Sequence, residues 1–184
     1  MIFKESPLKG CYAVETERFS DSRGWFARTF CSDDFKRIGF SGTWVQHNHS
    51  FTKIKGSIRG MHYQKMPACE AKLVRCVAGS VFDVAVDIRP DSLSYLKWYA
   101  EELSAENGRM IYIPAGFAHG FQTLTDNAEL LYCHSQTYQP EHESGLNYLD
   151  ELININWPLQ VTEVSDRDKG HPFLTINFEG VKTK

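Results

Sequence analysis

Short runs of apolar or alternating residues, each closed by glycine or another turn residue, set the pattern of this chain. Segment 71–78 (AKLVRCVA) reads as a strand, Gly79-Ser80 as a tight turn, and 81–89 (VFDVAVDIR) as its hairpin partner. Residues 109–114 (RMIYIP) and 117–124 (FAHGFQTL) read as a second pair around Ala115-Gly116. The run 128–138 (AELLYCHSQTY) predicts a further strand, and 10–19, 25–31 and 43–49 predict earlier ones. Helical periodicity is sparse. SDDFKRIG at 32–39 has a serine to cap it and a glycine to end it, and LDELININW at 149–157 has room for a helical turn before Pro158. No repeat, low-complexity tract or linker breaks the chain, so 1–184 is expected to be a single domain. Many short strands with glycine turns predict an all-β fold, a β-barrel or two-sheet jelly roll with a few short helices.

Alternation along 81–89 gives two faces. Phe82, Val84, Val86 and Ile88 form one; Val81, Asp83, Ala85, Asp87 and Arg89 form the other. A half-buried antiparallel strand shows carboxylates to solvent, and that is one reading of Asp83 and Asp87. The other places them at a polar barrel mouth or a subunit interface.

Composition narrows the possible functions. A chain of 184 residues, 42% of them hydrophobic, can bury roughly 70% of its unfolded surface. A formal net charge of −3 gives no general attraction to nucleic acid, so a bound phosphate must be held by a few placed Arg or Lys side chains. The first residues, MIFKESPLKG, contain no apolar signal region, and no stretch approaches the 20 or so apolar residues of a membrane span. The five cysteines are odd in number and form no CxxC pair, which suits a reduced cytoplasmic protein better than a disulfide scaffold or zinc site.

The candidate chemistry lies in two segments, GSIRGMHYQ at 56–64 and IPAGFAHGF at 113–121. Each sets a histidine, His62 or His119, beside a glycine-rich turn and an apolar run, a context suited to proton transfer or metal binding. The remaining histidines, His47, His49, His134, His142 and His171, have no comparable local pattern and read as surface or packing residues.

These segments resemble the paired motifs of the cupin superfamily, small β-barrels that commonly hold a metal. Gly56 and His62 match the first motif; Gly108, Pro114, Gly116 and His119 match the second, whose final asparagine is Thr123 here. Two ligand positions of the first motif are filled by Gln64 and, ahead of Gly79, by Lys72. A carboxamide and an ammonium do not hold a dication, whereas a fixed cation can stabilise a developing oxyanion. The residues thus favour metal-free proton chemistry beside a carbonyl over a metal-dependent cupin reaction.

A closer resemblance spans nearly the whole chain. FSDSRGWF at 19–26, QHNHS at 46–50, KGSIRGMHYQ at 55–64, KLVRCVAGSVFDVAVDIRPDS at 72–92, LSAENGRMIYIPAGFAHGF at 103–121, ELLYCHSQTYQPEHESGL at 129–146 and the SDRD that ends at Asp168 are similar to the dTDP-4-dehydrorhamnose 3,5-epimerases, metal-free cupins of deoxysugar biosynthesis. The resemblance implies a cofactor-free isomerase that removes and returns protons beside the 4-keto group of a dTDP-linked 6-deoxyhexose. His62 stands at the family's base position, Asp168 at that of the carboxylate orienting it, Tyr132 at the general acid and Lys72 against the C4 oxygen. Arg23, Gln46, Asn48, Arg59, His119, Tyr138, Glu143 and Arg167 fall at or beside substrate-binding positions. The segment around Arg23 is expected to reach into a neighbouring subunit, which implies a homodimer. Two residues differ from the family's habit: Arg28 replaces a common glutamate, and Arg167 a common lysine. An epimerase inverting a single carbon, or acting on another nucleotide-linked 4-keto sugar, is the alternative within the same chemistry.

Overall fold

A computed structural model describes residues 1–183. In chain order its elements are β1 (Ile2–Glu5), β2 (Tyr12–Glu15), β3 (Arg18–Asp21), β4 (Gly24–Ala27), α1 (Ser32–Lys36), β5 (Gln46–Thr52), β6 (Ile58–Gln64), β7 (Lys72–Ala78), β8 (Ser80–Asp87), β9 (Trp98–Ser104), β10 (Met110–Ile113), β11 (Phe117–Thr123), β12 (Ala128–His134), β13 (Glu143–Gly145) and α2 (Asp166–Lys169). One sheet runs β1-β2-β10-β7-β12-β5 and the other β13-β6-β11-β8-β9, with β3 and β4 forming a separate hairpin. All paired strands are antiparallel. The expected all-β jelly roll is therefore present, as two facing sheets rather than a closed barrel.

Three apolar clusters explain why the strands read as nearly continuous apolar runs. Between the sheets, Val74, Cys76, Ile111, Ile113 and Leu130 meet Val81, Ala85, Leu103, Phe117 and Phe121. On the outer face of the smaller sheet, Met61, Tyr63, Val84, Val86 and Ile88 are covered by Leu146, Ile153, Trp157 and Leu174 from the long C-terminal segment. On the outer face of the larger sheet, Val14, Leu73, Met110 and Tyr112 are covered by Phe35 of α1 and by Phe40. Both sheets are thus buried on both faces over much of their area, which strict polar alternation does not reveal.

Phe35 centres the third cluster, with its ring 5.1 Å from Phe3 and 5.8 Å from Tyr112. Its truncation to alanine is expected to cost about 3–5 kcal/mol, read as a lower denaturant midpoint at unchanged slope.

Several expectations are corrected. Residues 71–78 and 81–89 do not form a hairpin: β7 lies between β10 and β12, so neither of its edges is free for β8. Gly79, at φ +67°, instead turns the chain from one sheet to the other. The second expected pair fails likewise, because β10 is flanked by β2 and β7, and Gly116 at φ +85° sends β11 to the facing sheet. Ser32 is the first helical residue of α1 rather than its cap; Cys31 holds that position without a side-chain bond. Segment 149–157 makes turns, not helix, since Asp150 Oδ1 takes the Leu152 and Ile153 N–H groups and Asn154 turns left-handed at φ +50°. Asp83 and Asp87 are fully buried, so the solvated-face reading falls: Asp83 points between the sheets with Val81 and Ala85, and Asp87 is tied to Arg89, Ser92 and Ser94.

Candidate active site

The facing sheets leave a cleft of about 1070 Å³ at one end of the sandwich. It is lined by His62, Lys72, Tyr132 and Asp168, and also by Gln46, Asn48, Arg59, His119, Tyr138, Glu143 and Arg167. Every residue singled out from the sequence lies on it except Arg23. That arginine rides on the β3–β4 hairpin, with its side chain 86% exposed and paired to Asp21 at 2.6 Å.

His62 projects from β6, where it is the cross-strand partner of His119 on one side and Gly145 on the other. Asp168 comes from the four-residue helix α2, fixed by Ser165, whose hydroxyl accepts the Asp168 N–H at 3.1 Å. Its Oδ1 lies 2.8 Å from His62 Nε2, and its Oδ2 accepts the Gly60 N–H at 3.1 Å. Burial alone would raise the Asp168 carboxyl. The bond and charge of His62, the Gly60 amide and the Ser165 bond outweigh it and hold the carboxyl far below the usual range. A charged Asp168 keeps the His62 proton on Nε2, leaving Nδ1 as the basic nitrogen. Arg167 closes over this pair, 3.3 Å from His62 Nε2 and 3.2 Å from Glu143.

The opposite wall belongs to the larger sheet. Tyr132 on β12 shares a hydrogen bond of 3.1 Å with Ser50 on β5, and its ring packs edge-on against His119. Burial drives the Tyr132 phenol far above its ordinary value, so it is protonated at any physiological pH. Lys72 on β7 is 8% exposed and stands 3.4 Å from Glu70 Oε1. His119 is not free to ligate anything through Nε2, which lies 2.9 Å from the fully buried Asp83. Arg59 is braced by Thr52 Oγ1 at 2.9 Å and the Phe51 carbonyl at 3.1 Å.

This arrangement can remove a proton from one side of a flat substrate and deliver one from the other, with an ammonium nearby to offset negative charge. It is poorly suited to a metal. Gln64, at one cupin ligand position, is buried and spends its amide on Ala68, Thr137 and Gln139 backbone groups. His62, Asp168 and His171 do bring ligand-type atoms within 4.8 Å of one another, yet the Arg167 guanidinium already lies against the first two.

Three further residues at the cleft lie outside the set chosen from the sequence. His134, expected to be a surface or packing residue, lines the cleft and binds Glu70 at 2.7 Å. Glu70 lines it too, and alternation back from Lys72 is the one signal that places it there. His171 packs edge-on to His62, its ring resting over Gly145, where any side chain would collide with it. Burial and the His62 charge lower its basicity.

Known proteins with this sequence pattern and geometry are consistent with one another. The dTDP-4-dehydrorhamnose 3,5-epimerase family profile matches residues 5–175. A dTDP-4-dehydrorhamnose 3,5-epimerase of Shigella flexneri is 45% identical over 166 residues, 89% of this chain and 91% of that one. The crystal structure of the enzyme of that name from Elizabethkingia anophelis superposes with a TM-score of 0.93 at 37% identity, covering 97% of this chain and 98% of that one. A dTDP-6-deoxy-D-glucose-3,5-epimerase from Legionella pneumophila, solved in complex with dTDP-4-keto-L-rhamnose, superposes with a TM-score of 0.88 at 37% identity, covering 94% and 92%. With the profile spanning most of its length and its fold reproduced almost end to end, the chain belongs to the dTDP-4-dehydrorhamnose 3,5-epimerase family.

Proposed function

We infer that this protein is an isomerase that epimerises C3 and C5 of a dTDP-4-keto-6-deoxyhexose, on the route to a dTDP-L-rhamnose-type deoxysugar. One observation carries the reading: His62, braced by Asp168 of α2, stands on one sheet and the protonated Tyr132 phenol on the facing sheet, across a single cleft. A ketone at C4 acidifies the protons of both flanking carbons, so one base can serve C3 and C5 in turn. His62 takes the proton through Nδ1, and Asp168 stabilises the imidazolium that forms. The electrons left behind move onto the C4 oxygen, where Lys72 offsets the enolate charge. Tyr132 then protonates the carbon from the opposite face and inverts it. No metal or organic cofactor enters these steps.

Arg59, Gln46, Asn48, Tyr138, Glu143 and Arg167 are assigned to substrate binding by their place on the cleft, and His119 to a supporting contact beside Tyr132. The pyrophosphate calls for arginine forks, and Arg23 is assigned to it in trans. Its hairpin exposes Phe19, Trp25 and Phe26, at 67%, 49% and 71%, an apolar surface that a second copy of the chain would cover. The active form is thus a homodimer. We assign it to the cytoplasm, a reading with which five free cysteines are in keeping. No helix among the described residues is long and apolar enough to cross a membrane.

The test is incubation with dTDP-4-keto-6-deoxyglucose in heavy water. Deuterium is expected at both C3 and C5, read by NMR. A folded sample that leaves both carbons undeuterated would overturn the reading, and deuterium at one carbon alone would reduce the protein to a single-carbon epimerase.

A further inference from the structure

A line of polar side chains crosses the larger sheet along the cleft wall. Gln46 on β5 is the register partner of His134 on β12, which is in turn the partner of Lys72 on β7. The hydrogen bonds along this line have one direction. The Tyr138 N–H donates to Gln46 Oε1 at 2.8 Å, and Gln46 Nε2 donates to Asn48 Oδ1 at 3.1 Å. That fixes the Asn48 amide, so its Nδ2 is the donor to His134 Nε2 at 3.3 Å. An imidazole that accepts at Nε2 is neutral and carries its proton on Nδ1. His134 Nδ1 therefore donates to Glu70 Oε2, at 2.7 Å, while Glu70 Oε1 faces the Lys72 ammonium at 3.4 Å. Both carboxylate oxygens of Glu70 are committed. The side chains of Glu70, His134 and Lys72 are only 8%, 10% and 10% exposed. Burial works against a charged Glu70, but the His134 bond and the Lys72 charge outweigh it and keep the carboxyl below its ordinary value.

We propose that Glu70 and His134 are positioning residues that fix the Lys72 ammonium and couple it, through Asn48 and Gln46, to the substrate-binding end of the cleft. The inference rests on the role given to Lys72 above. Lysine is a point charge on a flexible four-carbon stem, and without an anchor its ammonium samples many positions. Glu70 is the carboxylate that pins it. His134 pins Glu70 in turn, and its second nitrogen sets the amide of Asn48. A dTDP group that engages Asn48 or Gln46 therefore bears on the same chain of bonds that places the cation for the C4 oxygen.

The two halves of the relay separate by mutation. Glu70→Gln keeps an acceptor for the His134 N–H but removes the charge facing Lys72. Its kcat for epimerisation is expected to fall roughly tenfold with KM within about twofold, since a displaced cation weakens the transition state and not substrate binding. His134→Asn puts an amide donor where Nδ1 was, retaining Glu70 but no longer reaching Asn48. It is expected to raise KM, and the Kd for dTDP measured by calorimetry, about tenfold with kcat within about twofold, the loss of one hydrogen bond to a binding residue. His134→Leu loses both contacts and should show both effects. Thermal midpoints and near-ultraviolet spectra check that each variant is folded, and the calorimetric arm remains informative for any variant without turnover. Equal losses in kcat and dTDP affinity across the three variants, or a Glu70→Gln enzyme with unchanged kcat, would overturn the relay. Failure of the unmutated protein to turn over would instead overturn the reading of Lys72.

Discussion

Replacing His62 with alanine is expected to slow deuterium exchange at C3 and C5 by about 10³-fold, within the span usual for removal of a general base. The geometry leaves no substitute. Asp168 is buried, fixed by the Gly60 and Ser165 backbone-side contacts and held in its charged form as a weak base. His119 turns its Nε2 to Asp83, and His171 is hidden behind His62 with lowered basicity. The loss should fall on the chemical step. Arg59 is braced by Thr52 and Phe51, and Gln46 and Asn48 are held by Tyr138 and His134, none of which touches His62. Affinity for dTDP should thus stay within about twofold of the parent by calorimetry, because no contact assigned to the nucleotide is lost. Exchange at the parent rate would show that the base is a different group.

Tyr132→Phe separates the two proton transfers. Phenylalanine keeps the ring against His119 and His134 but lacks the hydroxyl shared with Ser50. Formation of inverted product is expected to fall by about 10²–10⁴-fold, the range for a lost general acid. Exchange should persist, since His62 still takes the proton and can return a deuteron to the same face. The signature is deuterium in unreacted substrate with little product, followed by NMR over time. Parallel loss of exchange and inversion would remove Tyr132 from the acid role. The half-buried Ser50 hydroxyl loses its partner as well, a stability cost of up to about 1 kcal/mol that thermal unfolding would register.

How far the sequence reveals such a site depends on where its partners sit along the chain. His62 is legible because a glycine motif brackets it, and Lys72 because it occupies a position where a metal-binding cupin has a ligand. Their meaning as a set came from resemblance, and the structure then brought eleven of the twelve chosen residues to one cleft, with Arg23 left outside. His134, Glu70 and His171 were passed over because their partners lie on other strands or loops: Asn48 is 86 positions from His134, and Glu70 is 64. Local pattern carries no trace of such pairs. The fold shows the same division. Strand positions are mostly readable from alternation and turns, although β1, β6, β9 and β13 are not among those expected. Strand partners are not, because an apolar strand of this kind is buried on both faces and fits either sheet equally well. Asp83 misleads for a related reason: with both faces of β8 covered, the polar face of an alternating strand points at His119 rather than at water.

Sheet order also has a consequence for how the protein is made. β5 pairs with β12 alone, β6 waits for β11 and β13, and β7 for β10 and β12. As the chain leaves the ribosome, all three strands emerge with unpaired amides, β6 and β7 with apolar side chains as well, and their partners do not begin until Met110. Non-local pairing of this kind makes folding slow, and open strand edges invite pairing between nascent chains. The corners at Gly79 and Gly116 that send the chain from one sheet to the facing one are therefore also what delays closure, so soluble yield should respond more to growth temperature and chaperone supply than the stability of the finished protein would suggest.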